Sequence, residues 1–438
     1  MEIVKSFDGS SKVNCELIRF GKKESELGLR GYDNSFIPRG AGLSPRLLSA
    51  AKDGKSIILT DKIEGSNFEF DLEELTVKTD ANATFADVNK AAFTFGCELP
   101  VIGYSSIQIG AGIASCIHGK NQFLYDFGNQ VESFQLLLFS NEIITCSKSV
   151  NNIIFELTIG GYGSTGLILS ATIKLKKILS TRVQRKRSSV ASIQEFLKHY
   201  EQENIREFIG VFGWHNLHTK GRQLGGGFIY RDTHLANEMY MPGTYPVKPA
   251  HLYQPSPIYI PARVIFGSFF NLAYEIKERR SKKTTNFNIY SEAISSKNIY
   301  WSIMRANGFI EVQFIIPYHR INEFYTYLND LLLQTKATTS VCITKPAMGE
   351  RKYLRFRGKG VNIDITGVKS ETNLAFFAEL NANVKYFQGI PNITKCSILD
   401  EKTIQECYAE QYTLFFNDYK KELGKAPPSW FLQNGYVG

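Results

Sequence analysis

The chain has 438 residues, 43% hydrophobic and 21% charged, proportions that exclude a disordered or low-complexity polypeptide and, at this length, suggest two domains. Lys and Arg number 51 against 42 Asp and Glu, a net charge of +9, which suits an anionic partner (a phosphate-bearing cofactor, an anionic lipid surface or nucleic acid) or a solvated basic surface. Seven cysteines, odd in number and never in a Cys-x-x-Cys spacing, disfavour both a disulfide framework and a metal site and suit a reducing compartment.

From Met1 to Gly9 there is no apolar core of a signal peptide. The most apolar later stretch, Val264 to Ala273, falls far short of the roughly 18 to 20 residues needed to span a bilayer. The expectation is a soluble or peripheral protein, cytoplasmic or at a membrane surface. Pro38 to Ser44 reads as a glycine-bearing turn, and Lys55 to Thr60 and Leu75 to Thr79 read as short strands. Ala83 to Phe95 has the spacing of a helix opened by Thr84 as N-cap.

Next comes a small-residue stretch from Gly103 to Asn121, ending on His118-Gly119-Lys120-Asn121. Small residues and free N–H groups let a backbone approach a flat anionic group. The stretch is therefore either a nucleotide-cofactor cradle leading to an active-site His or a place where strand and helix pack closely. A hairpin follows, Glu132 to Ser140 with Glu142 to Cys146 around Asn141. A second glycine cluster, Gly160 to Gly166, leads into a strand from Leu167 to Leu175. Two glycine turns bracketing one αβ unit favour the cofactor reading.

Near Ile178 the character changes. Beyond it lie a helix from Ser192 to Glu201, strands at Phe208 to Trp214 and Gly227 to Arg231, and a long loop from Asn237 to Pro261 whose apolar residues suit a lid or a lipid-facing surface. Phe309 to Pro317 alternates as a half-buried strand and His319 to Gln334 follows as a helix. Thr339 to Lys345 and Gly360 to Thr366 read as strands, Ser370 to Phe387 as a long helix, and Thr403 to Tyr419 as a further helical recurrence.

Four colinear segments carry a resemblance. They are Arg39-Gly40-Ala41-Gly42-Leu43-Ser44; Ile113 to Asn121 followed by Phe127-Gly128-Asn129; Gly160 to Ile168; and Asn392-Ile393-Thr394-Lys395 with Tyr408 downstream. Together they resemble the vanillyl-alcohol-oxidase superfamily of FAD-linked oxidoreductases, and within it the decaprenylphosphoryl-ribose 2-oxidase family. The resemblance implies an α+β fold. A two-subdomain FAD-binding domain of the PCMH type would span 1–178, a cap domain on an antiparallel sheet 179–389, and a C-terminal segment, 390–438, would return to the FAD domain.

It also implies non-covalent FAD held by Arg39, Gly40, Ala41, Gly42, Leu43, Ser44, Gly103, Tyr104, Gln108, Gly110, Ala114, Ile117, His118, Asn121, Gly163 and Ile168. His118 and Lys395 fall on its flavin-side His and active-site Lys, while Tyr290, Gln313, Lys345 and Asn362 fall in its substrate pocket, Asn362 where mycobacterial members carry a cysteine. A lysine there can hold the substrate hydroxyl for hydride loss to flavin N5 or stabilise charge on the ring. Leu43 replaces the His that tethers FAD in sugar-lactone oxidases, Pro45-Arg46 replaces a Tyr-Gly pair, and Cys116 stands where Asp is common.

The implied activity is oxidation of a sugar secondary alcohol, the 2-hydroxyl of a polyprenylphosphoryl-ribose. The 2-keto product would be epimerised to arabinose with a short-chain reductase partner, for cell-wall or surface-polysaccharide synthesis. The alternatives are an aldonolactone or soluble-sugar oxidase, or a basic binding module on a decayed flavin fold. Nucleic acid is not an expected partner of the leading reading.

Overall fold

In the computed structural model, residues 2–20, 36–49, 56–60, 68–101, 104–119, 126–180, 182–202, 205–218, 224–235, 265–287, 298–428 and 431–432 are described. Short β-branched runs build a first sheet from β1 (Glu2–Lys5), β2 (Lys12–Phe20), β3 (Ile37–Arg39) and β4 (Ser56–Thr60), in the order β1-β2-β4-β3. Here β4 runs parallel to both of its neighbours. A second sheet holds β5 (Glu69–Asp71), β6 (Thr76–Asp80), β7 (Val131–Leu138), β8 (Ile143–Ser147) and β9 (Gly166–Lys174), ordered β5-β6-β9-β7-β8 and antiparallel throughout. The expected hairpin is β7–β8, and Asn141 takes the left-handed conformation its turn needs, φ 68°.

Among the described residues, helices α1 (Phe85–Phe93), α2 (Ile109–Ala114) and α3 (Asn152–Thr158) accompany these sheets. Thr84 caps α1 as expected, in a reciprocal box with Asp87: the Thr84 hydroxyl accepts from Asp87 N at 3.2 Å, and the Asp87 carboxylate accepts from Thr84 N at 3.0 Å.

After residue 178 the strands join one eight-stranded antiparallel sheet. Its members are β10 (Val183–Val190), β11 (Gly210–Asn216), β12 (Gly226–His234), β13 (Thr284–Phe287), β14 (Phe309–Ile316), β15 (Val341–Ala347), β16 (Gly360–Val368) and β17 (Ile390–Pro391), ordered β13-β10-β12-β11-β15-β16-β14-β17. The α-helices among the described residues of this part are α4 (Ile193–Gln202), α5 (Ile265–Arg280), α6 (Asn298–Asn307), α7 (Ile321–Thr335), α8 (Glu371–Asn383), α9 (Glu401–Tyr408) and α10 (Glu410–Leu423). The mixture of helices with largely antiparallel sheets is the expected α+β architecture. The long loop expected at Asn237 to Pro261 lies outside the described residues.

Strand alternation divides the large sheet into two faces. Ile310, Val312 and Phe314 of β14 share a core with Phe324 and Leu328 of α7 and Phe376, Phe377 and Leu380 of α8. Each such side chain removed from water contributes about 1.5–3 kcal/mol. The other face presents Glu311 and Gln313 of β14. Gln313 is paired across with Asp364 of β16, and Lys345 of β15 is paired across with Asn362 of β16.

The half-buried expectation for β14 is corrected: all eight of its residues are buried. An inner strand has neighbours on both edges, and here its polar face is covered as well. The single helical recurrence at Thr403 to Tyr419 is also two helices, broken at Ala409 with φ 43° and ψ −112°.

Candidate active site

Residues far apart in the chain line one cleft of about 220 Å³. The turn Arg39–Ser44 forms one wall. Tyr104, Gln108, Gly110, Ala114 and Ile117 form a second, and Gly163 and Ile168 a third. Glu311 and Lys395 close one end. Gly103, Asn121 and Tyr290 lie outside the described residues.

The walls are small because they are close. A Cβ on Gly40 would come within 2.7 Å of the Ala111 Cβ, and one on Gly110 within 3.0 Å of the Ala81 Cβ. Gly163 adopts φ +84° against the Pro38 ring, a conformation that favours glycine. The expectation of many free N–H groups between Gly103 and Asn121 is corrected. The N–H groups of Ile107, Ile109, Gly110 and Gly112 donate to Tyr104, Ala83, Ala81 and Gln108 carbonyls. What the segment offers is a thin backbone surface more than a nest of donors. Arg39 adds a guanidinium, anchored by an Nη1 bond of 2.8 Å to Ser49 Oγ.

Lys395 arrives by a local device. Strand β17 pairs with Phe314 and Ile315. The chain then continues along β14, with Asn392 N donating to Gln313 O and Ser397 N to Glu311 O. The Asn392 side chain accepts from Thr394 N at 3.0 Å and from Thr394 Oγ1 at 2.8 Å, closing a turn that aims Lys395 at the polar face. Lys395 Nζ donates to Glu311 Oε1 at 2.7 Å and to Asp364 Oδ2 at 2.8 Å.

Beyond Asp364 the network continues. Gln313 Nε2 donates to Asp364 Oδ2 at 3.0 Å, and Gln313 Oε1 accepts from Asn392 Nδ2 at 2.6 Å. Gln313 Oε1 lies 2.9 Å from His118 Nε2, and Lys345 Nζ lies 2.6 Å from His118 Nδ1. Lys345 Nζ also donates to Gly119 O at 2.9 Å. The Gln313 amide oxygen only accepts, so Nε2 carries the proton and Nδ1 is the acceptor towards Lys345. His118, Lys345 and Asn362 line a second, smaller pocket. Asn362 Oδ1 is buried in it without a hydrogen-bond partner among the described residues.

The charges are strongly mismatched to their surroundings. Burial, with Lys345 and Lys395 nearby, pulls His118 down to about 3. Burial and Lys395 pull Lys345 down to about 7. Burial pushes Glu311 up to about 8, against the pull of Lys395 and with Asp364 adding to the rise. Asp364 ends below its ordinary range, because Lys395 outweighs the burial that would raise it. Burial alone would depress Lys395, and the two carboxylates hold it well above the usual lysine value.

A stability consequence follows for His118. The folded imidazole stays neutral down to about 3, while an unfolded one takes a proton near 6.5. Its contribution is present above pH 6.5 and is lost as pH falls from there towards 3. Urea midpoints measured across that window are expected to drop less steeply for His118→Gln than for the native chain.

Sequence reading missed Glu311 and Asp364. Each carried a signal: an acid within a strand, two residues from another polar side chain and so on the same face, Glu311 with Gln313 and Asp364 with Asn362. Of the noted departures, Leu43 lines the cleft, whereas Arg46 is buried away from it, its Nη2 donating to Leu432 O at 2.8 Å.

No family model matches the chain. It is similar to the decaprenylphosphoryl-beta-D-ribose oxidase of Mycolicibacterium smegmatis, 24% identical over 407 residues, covering 90% of this chain and 86% of that enzyme. The resemblance read from the motifs is thereby shown. Among the described residues no helix is long and apolar enough to cross a membrane.

Proposed function

We infer that the chain is an FAD-dependent oxidoreductase that oxidises a secondary alcohol of a sugar, the 2-hydroxyl of a polyprenylphosphoryl-ribose. One observation carries the reading: three thin backbone segments, distant in sequence, converge on a single cleft closed by Lys395. The residues present fit the group. Gly40, Gly110 and Gly163 let Ala111, Ala81 and Pro38 pack close behind them, so that the walls are thin backbone against which a flat cofactor can lie, and Arg39 suits its pyrophosphate. Leu43 offers no nucleophile for covalent attachment. Bound FAD supplies a two-electron acceptor for hydride from the alcohol carbon. Lys395 Nζ, fixed by two carboxylates, orients the hydroxyl and steadies charge that develops there. The orphaned Asn362 Oδ1 and the Lys345–His118 pair are the groups we assign to the sugar.

Division into an FAD-binding domain, 1–178, and a cap, 179–389, is supported by strand partnership, since strands on either side of residue 178 join different major sheets. Ile390–Pro391 of the C-terminal segment, 390–438, still pairs into the cap's sheet, and its return to the FAD domain is supported by Tyr419, whose hydroxyl donates to Ser164 O. The purified protein is expected to be yellow, or to become so with added FAD, and to release its flavin on acid precipitation. Colourless protein that cannot be reconstituted would sink the flavin reading. Anaerobic bleaching by a polyprenylphosphoryl-ribose, but not by a sugar lactone, is the expected substrate result.

A lipid-linked substrate also calls for contact with a membrane surface, with a short-chain reductase acting on the product. Helix α5 supports the first of these. Phe269, Leu272 and Ile276 lie exposed along it, and Lys277, Arg279, Arg280, Lys282 and Lys283 gather at its C-terminal end. Cosedimentation with phosphatidylglycerol vesicles, weakened in Leu272→Ser and Ile276→Ser, is expected. Equal partition to phosphatidylcholine vesicles would argue against this surface.

A further inference from the structure

Oxidising an alcohol to a ketone removes a proton from oxygen as well as a hydride from carbon. The cleft holds few groups able to take that proton. Lys395 lines the cleft but remains an ammonium, clamped between two carboxylates. His118 is a weak base whose Nδ1 is already engaged by Lys345 and whose Nε2 is bonded to Gln313. Glu311 is the one carboxyl among the described residues that lines the main cleft.

We propose that Glu311 is the proton acceptor of this site and that Asp364 is the positioning residue that holds Lys395 against it. The proposal rests on the oxidoreductase reading above. The substrate O–H bond breaks and its proton passes to a Glu311 carboxylate oxygen. The C–H electron pair leaves as hydride to the two-electron acceptor, FAD, and a C=O bond remains. The proton then returns to solvent through the open side of the cleft.

Geometry makes this possible. The Glu311 and Asp364 side chains, 3% and 17% exposed, share one ammonium at 2.7 and 2.8 Å. One cation cannot compensate two carboxylates removed from water, so the group retains a proton at neutral pH. Glu311 loses it at about 8, close to a working pH, where a general base is most effective. Among the described residues the other titratable groups beside Glu311 are Tyr300 of α6 and Cys396, with Tyr104 in the same cleft acting on Lys395. Burial raises Cys396 and Tyr300 well out of the neutral range: Cys396 to about 12, Tyr300 further.

The test has two arms on the full chain. Infrared difference spectra of the protein without substrate are expected to show a protonated carboxyl band that disappears as pH rises through about 8. The band should be absent in Glu311→Gln, and its midpoint should move to lower pH in Asp364→Asn, which removes a like-charged neighbour. In stopped flow with a short polyprenylphosphoryl-ribose, Glu311→Gln is expected to slow reduction of bound FAD by roughly 100-fold or more and to abolish the rise of rate with pH. Glu311→Asp, the variant more sure to fold, should retain that rise at a lower rate. A carboxyl band unchanged by Glu311→Gln, or native rates and pH profile in both variants, overturns the assignment. Native protein that binds no FAD overturns the flavin reading instead, and the infrared arm still decides whether Glu311 holds the proton.

Discussion

Replacing Lys395 by Ala is expected to stop substrate-driven flavin reduction and to destabilise the fold together. Lys395 Nζ is the cation against both Glu311 and Asp364, and breaking a buried ion pair from one side typically costs about 3–5 kcal/mol. Part of that loss is recovered here, because Glu311 can stay protonated and leave a single charge uncompensated. Lys395→Arg separates the two effects. It keeps the charge and should restore most of the melting temperature, while its wider head no longer fits between the carboxylates and reduction stays at least about 100-fold slow, a loss of ~2.7 kcal/mol in barrier terms. Differential scanning fluorimetry and anaerobic stopped flow on the same preparations check both halves. Unaltered flavin reduction in Lys395→Ala would remove the lysine from the mechanism.

The second large effect is expected at Gly40. Its missing side chain leaves room for helix α2: a Cβ would lie 2.7 Å from the Ala111 Cβ and 3.0 Å from Gln108 Oε1. Gly40→Val must therefore push the Arg39–Ser44 turn away from α2 or shift Gln108 into the cleft. Overpacking of this kind costs about 1–3 kcal/mol. The loss falls on the cofactor site, so FAD affinity is expected to drop on the order of 10- to 100-fold, with a smaller shift in melting temperature of the FAD-free protein. Flavin-fluorescence quenching titrations measure the first. Native affinity in Gly40→Val would mean that FAD does not lie along this wall.

How far the chain could be read without its structure depends on the kind of signal. Helix α1 was legible because its cap, its acidic N3 residue and its apolar spacing agree. The β7–β8 hairpin was legible from Asn141 between a Phe- and Leu-rich run, Glu132 to Ser140, and the β-branched Ile143-Ile144-Thr145. The residues expected to hold FAD came from short motifs, and most of those described gather in one cleft. Local pattern could not report partnership between strands distant in sequence. Glu311 and Asp364 read as ordinary strand positions until β14 and β16 pair and Lys395 is laid between them. For the same reason β14 read as half-solvated, since alternation records polarity and not what covers it. Ala409 gave no warning of a helix break, because alanine is a strong helix former, yet its backbone takes a positive φ between α9 and α10. Placement of His118 in the side pocket, bonded to Gln313 and Lys345, also depends on three separate stretches of chain.

The turn that carries Lys395 bears on how the protein is made. Thr394 O accepts from Arg46 N at 3.2 Å, and Tyr419 of α10 donates to Ser164 O at 2.6 Å. Segments that a ribosome delivers early are thus finished by segments it delivers late. Closing such distant ends is entropically slow, and it comes after the local sheets have formed. During synthesis the three cleft walls can come together while the lysine is still to be added. Flavin supplied in the growth medium or in a cell-free translation should therefore be retained only by chains extended through α10, and shorter nascent chains should hold their glycine walls open to solvent and to chaperones.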